Sequence, residues 1–249
     1  MVEIRDIKIG QGKPKITVPI YGKTEQVVVE NARRAFRSPA DIIEWHADDF
    51  ESWQDDASVL RALKMIRMNI ESKVFLFTFR TSDEGGTLKV KDDEYIHILK
   101  LAMDSRLIDL LDVECCVSEY RATEIISYAK QKNVPVIGSN YAYEKVLSVG
   151  EMDFRIRYMQ RLGVDIAKIV VIPDRKKDIY RILNATYDLS EDLDLPISVI
   201  GKGDDGKYTR VLCELFGTAI TYGTLDPSEN PGEIDVWKLA SMIDSLHEM

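Results

Sequence analysis

Lys168 places the largest demand on its surroundings, because it interrupts the apolar run Ala167-Lys168-Ile169-Val170-Val171-Ile172. An ammonium group taken out of water must be paired or neutral. One placement is a strand-edge lysine whose stem lies along apolar surface while its head reaches solvent. The other is a desolvated lysine with a lowered pKa, a nucleophile that attacks a carbonyl and forms a Schiff base, which then draws electrons from the neighbouring carbon. Further chemistry-bearing residues stand where other apolar runs end: Glu44 and His46, Arg80 with Glu84 just beyond, Asn140 followed by Tyr141, and Arg210. A planar guanidinium suits a carboxylate through two parallel hydrogen bonds, so Arg210 or Arg80 is a candidate anchor for an anionic ligand. Taken singly, the arginines fit surface ion pairs and Glu84 fits a helix-start charge beside Gly85-Gly86. Gathered on one rim, they suit an anionic carbonyl compound.

The elements that must gather them recur at a regular spacing. Eight short apolar runs follow one another: KITVPI from Lys15, DIIEWHA from Asp41, VFLFTFR from Val74, DLLDVEC from Asp109, VPVIGSN from Val134, AKIVVIP from Ala167, PISVIGK from Pro196 and TAITYG from Thr218. Their nearly continuous apolar character predicts strands covered on both faces in a parallel sheet. Helical patterns lie between them. Asp55-Asp56-Ala57 opens one carrying Val59, Leu60, Leu63 and Ile66, and Lys91-Asp92-Asp93-Glu94 opens another carrying Ile98, Leu101 and Ala102. Eight strand–helix units in 249 residues predict a (β/α)8 barrel, one domain over residues 1–249. A doubly wound sheet would need a phosphate-binding G-x-G-x-x-G after its first strand, and none is present. The opening residues VEIRDIKIG-QG-KPKI read as a hairpin turning at Gln11-Gly12 and closing the barrel bottom. In such a barrel the chemistry collects at the C-terminal ends of the strands.

Charge narrows the choice of partners. With 33 Lys+Arg against 42 Asp+Glu the chain carries a net charge of −9, and no dense basic run counters that field, so nucleic acid and anionic membrane surfaces are not expected as partners. No apolar stretch reaches the roughly 18 residues of a bilayer span, and the first residues are charged rather than signal-like, which predicts a cytoplasmic protein. Cys115, Cys116 and Cys213 lack metal or redox spacing and are expected as small buried apolar residues.

Several of these segments resemble the type I 3-dehydroquinate dehydratases of the shikimate pathway. KPKITVPIYGKT, DIIEWHADDF, FLFTFRTSDEGG, DLLDVE, NVPVIGSNY, AKIVVIP, TRVLCELFGTAITYG and NPGEI carry the likeness from Lys13 to Ile234, and FTFR-x-x-x-EGG is the most specific of them. The resemblance implies a (β/α)8 barrel, usually dimeric, that uses no metal or cofactor. It implies an imine between a lysine and the C3 ketone of 3-dehydroquinate, followed by syn loss of water. Carried over by residue, Lys168 matches the Schiff-base lysine and Glu84 the acid near the catalytic histidine. Glu44 and Arg80 match groups around the substrate hydroxyls, and Arg210 the carboxylate anchor.

Four positions differ from the family pattern. Tyr141 stands where the family places its acid/base histidine, His46 replaces an arginine, and Glu229 and Glu233 fall on a substrate-holding serine and glutamine, with Ser228 one residue from the serine position. A tyrosine near pKa 10 in place of a histidine near 6.5 is a mismatch of about 3 units, roughly 4 kcal/mol, unless Lys168 or His46 lowers it. Carboxylates at 229 and 233 beside Arg210 would compete with a substrate carboxylate. Three functions follow: imine-based dehydration of 3-dehydroquinate or a related ketone, an aldolase-like Schiff-base lyase acting on an amine-bearing substrate, and a binding or regulatory paralogue. The expected partner is a small molecule, with a second copy of the chain as subunit. Pro227, Asn230, Pro231 and Gly232 predict a shaped, exposed loop.

Overall fold

Each of the eight apolar runs becomes one strand of a single parallel sheet. The structure is a computed structural model that describes residues 1–142, 147–226 and 231–248. A hairpin of β1 (Val2–Ile4) and β2 (Ile7–Ile9) comes first. Strands and helices then alternate: β3 (Lys15–Ile20), α1 (Glu25–Phe36), β4 (Ile42–His46), α2 (Asp56–Ile70), β5 (Val74–Thr78), α3 (Asp92–Asp104), β6 (Leu110–Glu114) and α4 (Glu119–Lys132). The second half continues with β7 (Val136–Ala142), α5 (Val149–Leu162), β8 (Ile166–Val171), α6 (Lys176–Asp192), β9 (Ile197–Gly201), α7 (Lys207–Val211), β10 (Ile220–Tyr222) and α8 (Val236–His247). The strands lie in the order β10-β3-β4-β5-β6-β7-β8-β9. A parallel bridge between Ile197 and Thr218 joins β9 to the segment entering β10 and brings the sheet round into a barrel.

Local sequence explains where the helices begin. Asp55 accepts a hydrogen bond from the Ser58 amide at the start of α2, Ser118 from Arg121 at the start of α4, and Ser148 forms a capping box with Glu151 before α5. Each such cap contributes about 1 kcal/mol. In α2 the stripe Val59, Leu63 and Ile66 is buried against the sheet, while Leu60 lies off that stripe and is exposed.

The hairpin does lie at the bottom of the barrel, but it turns earlier than expected. Val2 pairs with Ile9 and Ile4 with Ile7, so the reversal falls at Arg5-Asp6, with Arg5 at φ 51°. A turn at Gln11-Gly12 would have paired the hairpin with β3, whose two edges are already taken by β10 and β4. The early turn instead puts Ile4 and Ile9 against Ile42, Leu76, Leu110, Ile137 and Ile166 at the strand starts.

Two residues further along the same strands the inward side chains turn polar: Glu44, Thr78, Asp112, Ser139, Lys168 and Ser198, all buried. The alternate, outward residues, among them Trp45, Phe75, Phe77, Val113, Ala167 and Val199, form the apolar layer under the helices. Side chains alternate along a strand, so a polar residue at every second position near its C-terminal end lines the lumen, below the upper face.

Candidate active site

Lys168 occupies the centre of this polar layer and is fully buried. It does not reach solvent along the strand edge, because it lies in the middle of β8 between paired strands on both sides. Its Nζ stands 2.7 Å from Asp112 Oδ2 and 3.5 Å from Glu44 Oε1 as an ion pair with each. It also donates a hydrogen bond to Tyr222 Oη, at 3.2 Å. The expected lowered pKa is not what this setting gives. Burial favours the neutral amine, but Asp112 and Glu44 outweigh it and hold the group well above the usual lysine range. The resting residue is an ammonium.

Arg80 belongs to the same network and is spent within it. Its Nη2 donates to Asp112 Oδ1 at 2.6 Å, and its Nη1 faces Ser139 Oγ at 3.0 Å, Glu84 Oε2 at 3.2 Å and Glu114 Oε1 at 3.4 Å. Glu114 in turn accepts from the Thr81 amide and hydroxyl, both at 2.7 Å, and from Arg121. Of the two candidate anchors for an anion, this removes Arg80. Arg210 remains: it borders the mouth, its Nη1 donates to the carbonyls of Gly201 and Gly206, and among the described residues Nη2 and Nε make no hydrogen bond. Burial lowers its pKa, and Glu233 works in the opposite direction.

Glu84 is buried too, not a solvated helix-start charge. The Gly85-Gly86 pair explains how. Gly85 takes φ 86°, and a Cβ on Gly86 would lie 2.1 Å from the Arg80 carbonyl oxygen, so only glycine lets the turn fold back over the end of β5. Glu84 then accepts from Asn140 Nδ2 at 2.8 Å and from the Tyr141 amide at 3.2 Å. Burial, with Glu114 and Asp112 nearby, pushes its pKa up to about 8 against the pull of Arg80.

Tyr141 and His46 behave oppositely. The Tyr141 ring lies 4.2 Å from Arg80 Cζ, 5.6 Å from Lys168 Nζ and 5.7 Å from Lys202 Nζ, an aromatic face shared by cations. Burial still dominates its hydroxyl, pushing the pKa up to about 12 although Lys168 and Arg80 oppose the rise. The expected compensation by a neighbouring cation therefore does not restore a base near neutral pH. His46 sits 3.5 Å from Glu44 and 3.4 Å from Asp48 and stacks on Tyr21 at 4.7 Å. Burial alone would keep the ring neutral, but Glu44 and Asp48 prevail and raise its pKa to about 9. At neutral pH it is an imidazolium, so it keeps a positive charge at a position where the family pattern has arginine.

These groups surround a cavity of about 270 Å³ at the barrel mouth, whose wall includes Glu44, His46, Arg80, Tyr141, Arg210 and Glu233. A larger depression of about 930 Å³ between α4 and α5 touches Glu84 and Tyr141 but none of Glu44, Arg210 or Tyr222, which line the smaller one. Glu229, Ser228, Pro227 and Asn230 lie outside the described residues. Cys115 and Cys213 are buried as expected, whereas Cys116 is exposed just past the end of β6, where the chain leaves the sheet. Among the described residues no group of three or more His, Cys, Asp or Glu is arranged to hold a metal ion.

Sequence reasoning passed over Asp112, Glu114, Tyr222 and Lys202. A signal for the first two existed: Leu-Leu-Asp-Val-Glu puts two carboxylates two apart in a buried strand, which aims both into the lumen. Tyr222 and Lys202 end their runs as ordinary polar residues, and only the closure of the barrel brings them to Lys168 and Tyr141.

Residues 16–249 match the family model described as Type I 3-dehydroquinase. The 3-dehydroquinate dehydratase of Bacillus subtilis is 35% identical over 249 residues, covering 100% of this chain and 98% of that protein. That of Salmonella typhimurium is 37% identical over 248 residues, 99% of this chain and 98% of the other. Among solved structures, the type I 3-dehydroquinate dehydratase of Clostridium difficile with covalently modified comenic acid superposes with a TM-score of 0.97 at 35% identity, over 99% of this chain and 98% of that one. The 3-dehydroquinate dehydratase of Geobacillus kaustophilus gives 0.95 at 27% identity, over 99% and 96%.

Proposed function

This chain belongs to the type I 3-dehydroquinase family, and we propose that it is a hydro-lyase that dehydrates 3-dehydroquinate, or a closely related ketone, through an imine on Lys168. The observation that carries this reading is a fully buried lysine beneath the mouth cavity, ringed by Asp112, Glu44 and Tyr222, of which Glu44 and Tyr222 line the cavity wall. Arg210 offers its unoccupied guanidinium edge to the substrate carboxylate, and the His46 imidazolium and Glu44 face the substrate hydroxyls. Once the imine forms, its positive nitrogen draws electrons from the adjacent carbon, whose proton passes to the Glu84 carboxylate while Tyr141 protonates the β-hydroxyl, which leaves as water; the proton on Glu84 then returns to the Tyr141 oxygen. Tyr141 and Glu84 take the family's acid/base positions, with Tyr141 restricted by its high pKa to donating protons. No cofactor enters this chemistry.

The test is reduction with borohydride in the presence of 3-dehydroquinate. A mass increase on Lys168 matching the reduced adduct supports the reading, and an unmodified Lys168 with that ketone and with related polyol ketones overturns it. One observation favours a second reading, an amine-bearing carbonyl substrate: Glu233 borders the cavity on the Arg210 side. A Lys168 adduct with an amino sugar but not with 3-dehydroquinate would select it. We place the enzyme in the cytoplasm as a homodimer; no helix among the described residues is long and apolar enough to cross a membrane, and Tyr120, Val149 and Phe154 leave apolar surface exposed on α4 and α5. A monomer mass in sedimentation equilibrium would overturn the dimer.

A further inference from the structure

Tyr222 ends β10, the last strand, and its hydroxyl accepts a hydrogen bond from Lys168 Nζ at 3.2 Å. Asp112 and Glu44 approach the same nitrogen as charges. Two properties set Tyr222 apart from Asp112. It is neutral, because burial first and Glu44 second keep its proton on, far above the usual tyrosine range, although Lys168 pulls the other way. It also borders the mouth cavity, as Asp112 does not. Lys168 itself lies behind the cavity wall, and its polar partners Tyr222 and Glu44 line that wall, so a carbonyl approaching Nζ passes between a neutral hydroxyl and a carboxylate, and only the hydroxyl has a proton to give its oxygen.

We propose that Tyr222 is a catalytic residue, relaying a proton from Lys168 Nζ to the oxygen of the incoming carbonyl as the carbon–nitrogen bond forms. The proposal rests on the reading of Lys168 as the imine-forming residue. The ammonium first passes one proton to the Asp112 carboxylate 2.7 Å away; the neutral amine so formed supplies the electron pair of the new N–C bond, and the carbonyl π pair moves onto oxygen, leaving nitrogen positive and oxygen negative. The Nζ proton passes to Tyr222 Oη along the hydrogen bond already in place while the tyrosine's own proton passes to the alkoxide. The products are a neutral carbinolamine and an unchanged tyrosine. No phenolate accumulates, so a strongly held proton is no obstacle. The Tyr141 ring centroid lies 5.6 Å from Nζ, whereas the hydrogen bond from Nζ runs to Tyr222.

Tyr222→Phe tests the relay, because it removes the hydroxyl and keeps the ring, whose centroid is 5.2 Å from Nζ. Single-turnover borohydride trapping of 3-dehydroquinate on Lys168 is expected to slow on the order of 10²-fold, the range for loss of one proton-transfer group. Affinity for an analogue with the carboxylate but an alcohol in place of the ketone is expected to stay as in the native protein. The solvent deuterium effect on trapping is expected to shrink in the variant, which a purely structural role would not produce. Equal trapping rates in the two proteins would overturn the relay and leave the imine reading intact. A loss of analogue binding as large as the loss of rate would make Tyr222 a binding residue and also overturn it. No adduct on Lys168 in the native protein would overturn the imine reading, and the relay with it.

Discussion

Ile42 and Glu44, Leu76 and Thr78, Leu110 and Asp112, Ile137 and Ser139, and Ile166 and Lys168 are pairs of neighbours in one barrel lumen, each pair two residues apart on its strand. The lower members pack with Ile4 and Ile9 of the hairpin into an apolar floor. The upper members are buried just as deeply but carry charge and hydroxyls. Each aliphatic side chain of the floor contributes about 1.5–3 kcal/mol through burial, whatever its neighbours do. The upper layer works differently: desolvating Lys168, Glu44, Asp112 and Arg80 costs about what their mutual attraction returns, so the network adds little net stability yet is costly to break at any single point. The floor holds the barrel; the upper layer holds a buried lysine, ion-paired beneath the mouth.

The largest effect that separates the two layers should come from Lys168→Met. The variant leaves Asp112 and Glu44 without their shared cation, and breaking a buried ion pair from one side costs about 3–5 kcal/mol. Urea unfolding at neutral pH should show that loss, and trapping of 3-dehydroquinate should vanish. Unchanged stability would mean that Asp112 is already balanced by Arg80 and Glu44 by His46. In the floor, Leu76→Ala should cost about 3 kcal/mol through the cavity it opens. Its trapping rate on Lys168, measured below the shifted unfolding midpoint, should match the native rate. A floor variant that slowed trapping would break the division between the layers.

Legibility in the sequence divides along the same line. Every barrel strand can be read from its apolar run to within a residue or two, because a strand covered on both faces leaves few polar positions to confuse its ends. Lys168, Glu44, Arg80 and Arg210 stand out for the complementary reason, as charges where packing would choose none. The state of those charges could not be read. A lysine in an apolar strand suggests a lowered pKa, yet the two carboxylates that reverse the shift come from β4 and β6, 124 and 56 residues away. The same holds for Tyr141, where burial outweighs nearby cations, and for Tyr222, which meets Lys168 only when the last strand closes against the first.

His46 gives the smallest effect and one with a definite sign. It is the rim group whose charge depends on pH near neutrality, held by Glu44 and Asp48 beneath the Tyr21 ring. Its pKa is about 9 in the folded chain against 6.5 ordinarily. A raised folded value means that its contribution is fully present below 6.5 and is lost as the pH rises through about 9. At 1.36 kcal/mol per unit, the loss between pH 7 and pH 9 is about 2 kcal/mol. Glu84, at about 8, also loses a stabilising proton as the pH rises, so the native slope alone does not isolate His46. The difference between native and His46→Gln does: urea unfolding free energies of the two proteins should differ by about 2 kcal/mol more at pH 7 than at pH 9. A constant difference across that range would make His46 a neutral ring at the rim, and the positive charge facing the substrate hydroxyls would then have to come from Lys202 or Arg210.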